Sequence, residues 1–307
     1  MNFTLHQLQV FVTIAKEKSV TRAAEALHLT QPAVSIQLRN FQEQFDIPLS
    51  EVIGRRIYLT EFGKEIAETA ERILNEVYAI NYQTLAHKGL LTGKLKVAVV
   101  STGKYVMPYF MSQFIRENPG IELVMDVTNR IGVLRSLAEN EVDFALVSIL
   151  PAGLEVNAVA MMPNKLFLVG KEPVSGSSKR FEPSVLEELP LIYREKGSGT
   201  RMAMEDFISS NELNVAMRME LSSNEAVKQA ILAGLGYSVM PLIGIRNELA
   251  RNELQIIQVD NLPITTCWNL ISLKNKRFSP VAKAYLRFIE ENKSAIIRDS
   301  FGWADLY

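Results

Sequence analysis

VTRAAEALHLTQPAVSIQLRNF, residues 20–41, reads as two short helices joined by a tight turn. In the first, Ala23, Ala24, Ala26 and Leu27 supply small apolar contacts, so a second helix can cross close by, as a helix-turn-helix requires. His28 and Leu29 form the turn, with Leu29 pointing back into the small core. Thr30 is suited to an N-cap, and Pro32 falls in the first turn of the next helix, where its missing N–H costs nothing. Val34, Leu38 and Phe41 recur at spacings of four and three and form a buried stripe. Gln31, Ser35, Gln37 and Arg39 are left facing outward, and no acidic residue occurs from Ala26 to Gln42. Hydrogen-bonding side chains without a carboxylate suit a helix entering the DNA major groove. The alternative is an ordinary helical hairpin in a globular core.

The stretch that follows favours the first reading. Ile53 to Thr60, IGRRIYLT, reads as a turn and a short strand carrying Arg55 and Arg56, the shape of a wing whose guanidinium groups reach phosphates or the adjacent minor groove. With TRAAEALHLTQPAVS at 21–35 followed by GRRIYLTEFG at 54–63, residues 1–65 resemble the winged helix-turn-helix of LysR-type transcriptional regulators. The chain departs from that pattern at Ile36 and Val52, where arginine is usual, and at Ser50, where phenylalanine is usual. The candidate DNA-contacting residues are Thr30, Gln31, Pro32, Ser35, Gln37, Arg39, Arg55, Arg56 and Thr60. Gln31 and Ser35 are expected to read bases, and Arg39, Arg55, Arg56 and Thr60 to hold the backbone.

At 307 residues the chain exceeds one typical domain. No apolar run approaches the length that spans a bilayer, and the N-terminal MNFTLHQLQVFVTIAKEKS has helical periodicity and Lys16, Glu17 and Lys18, unlike a secretion signal. The one cysteine, Cys267, excludes an internal disulfide framework and argues for a reducing, cytoplasmic setting. A formal net charge of -1 is not that of a generic nucleic-acid binder. Residues 21–60 hold four basic residues (Arg22, Arg39, Arg55, Arg56) and four acidic ones (Glu25, Glu43, Asp46, Glu51). Binding therefore depends on where charges sit and on dimerisation, with a modest salt slope per monomer.

From Thr60 to about Lys88 a long amphipathic helix carries Phe62, Ile66, Thr69/Ala70, Ile73, Val77, Ile80 and Thr84 down one face. The bland reading packs this stripe on its own domain; a two-helix dimer seam is preferred, and the resemblance agrees, since the position matches the family's dimerising linker helix. Gly89–Gly93 then breaks the helix. Beyond it short apolar runs alternate with helical segments, an α/β region with mainly parallel sheets. The strands are expected at Leu95–Val100, Ile121–Val127, Phe144–Val147, Leu166–Val169, Leu191–Tyr193, Met217–Leu221, Ser238–Met240, Leu254–Val259 and Trp268–Leu273.

Four strand-to-helix turns concentrate the chemistry of this half: Ser101–Lys104, Thr128–Arg130, Glu195–Arg201 and Ser222–Asn224. In a parallel α/β sheet such turns converge at the carboxyl ends of the strands, where free N–H groups, hydroxyls and the helix dipole favour an anion. Any one of them is also an ordinary helix cap. GSGTRMAMEDF at 197–207, MELSSNEAVKQAILAGLGYSVMP at 219–241 and KRFSPVAKAYLRFI at 276–289 resemble the periplasmic-binding-protein-like effector domain of the same family, most of all the branch that controls carbon-fixation operons. That resemblance implies an inducer held between two lobes, with phosphorylated sugars or related metabolites as the branch's effectors. The candidate ligand residues are Ser101, Thr102, Thr128, Asn129, Gly199, Thr200, Arg201 and Asn224.

The expected organisation is a winged helix-turn-helix at 1–60, a dimerising linker helix and hinge at 61–92, and a two-lobed effector domain at 93–300. Lobe I spans about 93–161 and 269–300, and lobe II about 162–268. The fold class is an all-α winged helix-turn-helix and long helix followed by a two-lobed α/β domain. The expected function is a DNA-binding transcriptional regulator modulated by a small anionic metabolite, a homodimer and then a homotetramer, with RNA polymerase as a further partner. His6, His28 and His87 all fall in the helical N-terminal part, and no metal spacing, nucleophile elbow or phosphate-cradling lysine loop is present. Neither an enzyme nor a cofactor is expected. The alternative is a small-molecule-binding protein or enzyme of the two-lobed fold without a DNA-reading role. The aromatic stretch Phe301–Tyr307 is expected to pack on its own body or on a neighbouring subunit.

Overall fold

Thr4 opens the first helix with a reciprocal cap. Its hydroxyl accepts from the Gln7 N–H at 3.2 Å, and Gln7 Oε1 accepts from the Thr4 N–H at 2.9 Å. That fixes the entry to α1 (Leu5–Glu17), followed by α2 (Val20–Ala26), α3 (Gln31–Gln42), the strands β1 (Ser50–Ile53) and β2 (Arg56–Leu59), and α4 (Glu61–Ala86). The computed structural model describes residues 2–54, 56–86, 91–174 and 180–307, in two units, Met1–Leu90 and Leu91–Tyr307.

Two small cores hold the first unit. Val10, Ile14, Ala23, Ala24, Val34 and Ile57 form one; Leu8, Phe11, Val12, Phe41, Leu49 and Ala70 form the other. Burying a side chain the size of Val34 or Phe41 contributes about 1.5–3 kcal/mol. The wing is a hairpin, Ser50 opposite Leu59 and Ile53 opposite Arg56, turned at Gly54 with φ +66°, a backbone state that glycine adopts without strain. The N-terminal unit is thus a winged helix-turn-helix, helical with a β-hairpin as its wing.

The stripe on α4 divides. Phe62, Ile66, Ala67, Ala70 and Leu74, spaced mostly by four, pack on α1 against Leu8, Phe11 and Val12, so the first turns follow the bland reading. Ile73 and Ile80 are exposed. Thr84 and the Gly89–Gly93 break fall largely outside the described side chains, which omit those of residues 81–90.

The second unit runs β3 (Thr92–Val100), α5 (Met107–Glu117), β4 (Gly120–Thr128), α6 (Arg130–Ala138), β5 (Phe144–Val147), β6 (Val156–Gly170), α7 (Val185–Glu188) and β7 (Leu191–Arg194). It continues through α8 (Gly199–Ser210), β8 (Met217–Leu221), α9 (Asn224–Leu232), β9 (Ser238–Pro241), α10 (Arg246–Ala250), β10 (Gln255–Ile257), β11 (Ile264–Leu273) and α11 (Pro280–Phe301). The main sheet has the order β10-β6-β11-β5-β3-β4, with β9 also on β6; β7 and β8 pair separately. Among the paired strands of the described residues, β3 with β4 and β5, and β7 with β8, are parallel; β6 and β11 run antiparallel to each other and to the other strands they meet. The expectation of mainly parallel sheets is therefore corrected to a mixed one. β11 returns between β5 and β6, which run in the same direction, and is antiparallel to both; an apolar run marks a strand but not its direction.

Those two long strands carry the chain between lobes. Met161, Met162, Trp268 and Leu270 belong to one core with α5 and α11, whereas Leu166 and Leu168 belong to a second with α8. The register between β6 and β11 shifts at Trp268/Asn269, where Met161 is bypassed. Phe301 stacks on Phe110 at 5.9 Å, Trp303 and Ala304 join a core of the second lobe, and Lys165 donates to the Ala304 and Tyr307 carbonyls at 3.0 and 2.9 Å. The aromatic segment packs on its own body.

Candidate functional site

Ala23 and Ala24 are buried with no side chain beyond Cβ, so α2 crosses close to α3. The turn between them places His28 at φ 55°, in the left-handed region, and Thr30 caps α3 through the Ala33 N–H at 3.4 Å. Val34 and Phe41 point into the two cores. On the outer side Gln31, Pro32, Ile36 and Arg39 are exposed, and Ser35 and Gln37 are half-buried. Gln31 Nε2 donates to Ser35 Oγ at 2.9 Å, so these two residues form one polar unit. Arg39 is only loosely paired with Glu43, at 3.9 Å.

On the wing, Arg56 is exposed and has no ion pair among the described residues, while Arg55 lies outside them. Thr60 serves the fold: its hydroxyl donates to the Pro48 carbonyl at 2.7 Å and accepts the Gly63 N–H at 2.9 Å, capping α4. What the residue types did not single out is the apolar part of this face. Ile36, Val52, Ile53 and Tyr58 are all exposed, and an apolar side chain on such a helix suits a thymine methyl group.

In the second unit the candidate residues follow the carboxyl ends of the parallel strands β3, β4, β7 and β8. Thr102, Thr200 and Asn224 are buried, Ser101 and Thr128 are half-buried, and Asn129 is exposed. The lobes meet at these turns. Arg194, 4% exposed at the end of β7, donates to Ser101 Oγ at 3.3 Å. Tyr105 donates its hydroxyl to Glu225 Oε2 at 2.9 Å. Gly199 approaches the loop after β5 so closely that a Cβ there would stand 2.9 Å from Ser148 Oγ.

Each candidate then has a specific environment. Asn129 caps α6 by accepting the Gly132 N–H at 2.8 Å. Ser198 sits at the N-cap position of α8 without capping it, so the first turn through Gly199 and Thr200 keeps its donors for another acceptor. Asn224 is 4% exposed, and neither its Oδ1 nor its Nδ2 has a partner. Arg201 is engaged elsewhere, with Glu205 and Glu220 each at 2.6 Å, the Arg194 carbonyl at 2.9 Å and the Tyr193 ring at 5.5 Å. The buried guanidinium at the turn is instead that of Arg194, held in two bonds by Glu195 at 2.8 and 2.9 Å. Its signal in the sequence is an arginine closing an apolar strand just before a glycine-containing turn.

Electrostatics at the lobe contact favour a neutral phenol and a charged carboxylate. Burial, and then the bond to Glu225, push the Tyr105 phenol up to about 12. Burial alone would raise Glu225, but hydrogen bonds from Gln229, Lys228 and Tyr105 hold it below the ordinary carboxylate value. Hydroxyls, an unpartnered amide and an uncapped helix start together suit a small anion with acceptor oxygens. Among the described residues no group of three His, Cys, Asp or Glu could hold a metal ion, and no helix is long and apolar enough to cross a membrane.

Residues 5–64 match the model of the bacterial regulatory helix-turn-helix proteins of the lysR family, and residues 88–294 match the LysR substrate binding domain. The RuBisCO operon transcriptional regulator of Acidithiobacillus ferrooxidans is 40% identical over 93% of this chain and 93% of its own length. The transcriptional activator CmpR of Synechocystis is 36% identical over 96% and 97%. Among solved structures, the Synechocystis CcmR regulatory domain in complex with 2-PG is 34% identical, with a TM-score of 0.62, and covers 66% of this chain and 98% of that one.

Proposed function

The chain belongs to the LysR family of bacterial transcriptional regulators, and on that premise we propose that it controls genes of inorganic-carbon assimilation in response to a small phosphorylated carboxylic acid of the 2-phosphoglycolate type. The observation that carries the ligand class is Asn224, a fully buried amide without a partner, beside a turn set that includes the uncapped start of α8. An acceptor-rich anion would satisfy both. In this reading Ser101, Thr102, Thr128, Thr200 and Asn224 hold the ligand through hydroxyl, amide and backbone donors, and Arg194 adds charge. Asn129 and Arg201 position the surrounding backbone. The names of the relatives support the target genes, and the 2-PG bound to CcmR supports the ligand.

DNA would be read by Gln31, Ser35 and Gln37 with Ile36, and held by Thr30, Pro32, Arg39, Arg55 and Arg56. Dimerisation through the exposed part of α4 would set two recognition helices at one spacing, and a tetramer would let lobe closure alter that spacing or the DNA bend. In an activating role it would act on RNA polymerase.

The test is selection of genomic fragments by the purified full chain near physiological salt, with and without 2-phosphoglycolate. The expected result is enrichment of a partly palindromic site, with half-sites about one helical turn apart, beside carbon-assimilation genes and with a ligand-dependent footprint. Enrichment beside unrelated genes, or a footprint indifferent to the ligand while calorimetry shows no binding, would overturn the reading.

A further inference from the structure

A cavity of about 360 Å³ is lined by residues of both lobes, none of them a cleft candidate. That volume lies at the lower end of the range of small-molecule pockets. Its aromatic walls come from Tyr109 of the first lobe and from Phe301 and Trp303 of the segment that packs across both. Its rim is basic. Arg246 lies over the Trp303 ring at 4.6 Å and Lys104 over the Tyr105 ring at 5.0 Å. Neither has an acidic partner among the described residues. Lys228, by contrast, is neutralised by Glu248 at 2.8 Å and Glu225 at 3.1 Å. The Trp303 indole N–H is buried and has no acceptor.

We propose that this cavity is a second ligand site, for a small anion that joins an aromatic ring to a carboxylate, such as an arylacetate, distinct from the effector cleft. The flat apolar rings supply area for an aromatic body, and the two cations without acidic partners supply donors for a carboxylate. Polar and apolar features occur together here, as a pocket that orients its ligand requires. Because Lys104 and Tyr109 come from one lobe and Arg246 from the other, an occupant binds the closed arrangement better than an open one and stabilises it. Lys228 ties the site to Glu225, and thus to the Tyr105 contact between the lobes.

The full chain is titrated calorimetrically with phenylacetate, with its neutral analogue phenylacetamide, and with phenylacetate in saturating 2-phosphoglycolate. Phenylacetate is expected to bind once per chain and to change tryptophan emission. That change should vanish in Trp303→Phe, since the other tryptophan, Trp268, is buried in the first-lobe core. Arg246→Gln and Lys104→Gln, on separate elements, should each weaken phenylacetate about tenfold, the loss of one charge-assisted bond. Phenylacetamide should bind at least about tenfold more weakly than the anion, and 2-phosphoglycolate should not displace it. No heat up to about 10 mM phenylacetate, unchanged affinity in both charge variants, or displacement by 2-phosphoglycolate overturns the proposal. Circular dichroism of each variant separates a lost site from a lost fold.

Discussion

Tyr105 and Glu225, on opposite lobes, share a 2.9 Å hydrogen bond in which the phenol donates to the carboxylate. Burial and that bond raise the phenol to about 12. A folded-state value above the ordinary 10 means that the neutral phenol is favoured in the folded protein. The stability it contributes is therefore fully present below pH 10 and is lost as the pH climbs from 10 through 12. Spectroscopic titration of tyrosinate, as the difference between the native chain and Tyr105→Phe, should show one phenol still protonated well above pH 10. A difference curve centred near 10 would mean that the lobes are not held by this bond in solution.

Asn224 separates a binding residue from a structural one. A buried amide without partners costs about 1–3 kcal/mol, so Asn224→Ala should leave the ligand-free melting temperature unchanged or slightly higher. Affinity for 2-phosphoglycolate should fall by about tenfold or more, since one or two hydrogen bonds to a charged ligand are lost. If the variant instead melts earlier and binds as before, the amide serves packing.

Arg201 should behave in the opposite way. Its guanidinium joins α8 to β8 through Glu205 and Glu220, whose side chains are 48% and 41% exposed. Solvent screens these pairs, so Arg201→Ala should cost about 1–2 kcal/mol, several degrees of Tm for a domain of this size. Ligand affinity, measured at a temperature where the variant is folded, should change little. A selective loss of affinity would return Arg201 to the ligand.

These two residues show what the sequence could and could not disclose. The pairing of α2 with α3, the cap at Thr30 and the turn at His28 are local: small residues, a hydroxyl and a proline act within a few positions of themselves, so they can be read in order. The fates of Arg194 and Arg201 are not local. Both are arginines near one turn, and which faces the cleft depends on Glu205 and Glu220, four and nineteen positions beyond Arg201. The mixed sheet was obscured for a related reason. Pro163 interrupts the run from Val156 to Gly170 and reads as a strand breaker, yet it is tolerated opposite Cys267. Thr60 looked available to a phosphate because its two partners, Pro48 and Gly63, are brought to it only by the fold.

On the DNA face the predictions divide by residue type. Arg56, exposed on β2, should act on phosphate: Arg56→Ala weakens binding about equally for all sequences and lowers the salt slope by about 1. Gln31→Ala and Ser35→Ala should change which base is preferred. Because Gln31 and Ser35 bond each other, the double variant should be less impaired than the sum of the single ones. Fluorescence anisotropy against a randomised half-site, at several salt concentrations, measures both quantities. A uniform loss from Gln31→Ala with an altered base preference from Arg56→Ala would exchange their roles.

The exposed part of α4 carries the last prediction. Phe62, Ile66, Ala70 and Leu74 belong to the core shared with α1, whereas Ile73 and Ile80 are 37% and 63% exposed one heptad apart. An apolar pair at that spacing on a long helix is what a two-stranded seam presents. Across a two-fold axis each position occurs twice, and each isoleucine buried contributes about 1.5–3 kcal/mol. Ile73→Asp combined with Ile80→Asp should therefore dissociate the proposed dimer at micromolar concentration, seen as a halved mass by sedimentation. The melting of the first unit should change little, because neither side chain belongs to its core. Half-site affinity should persist while affinity for the full operator collapses, since the second half-site then binds without its tether. An unchanged mass with a lowered melting temperature would place these residues against their own chain and move the subunit contact elsewhere.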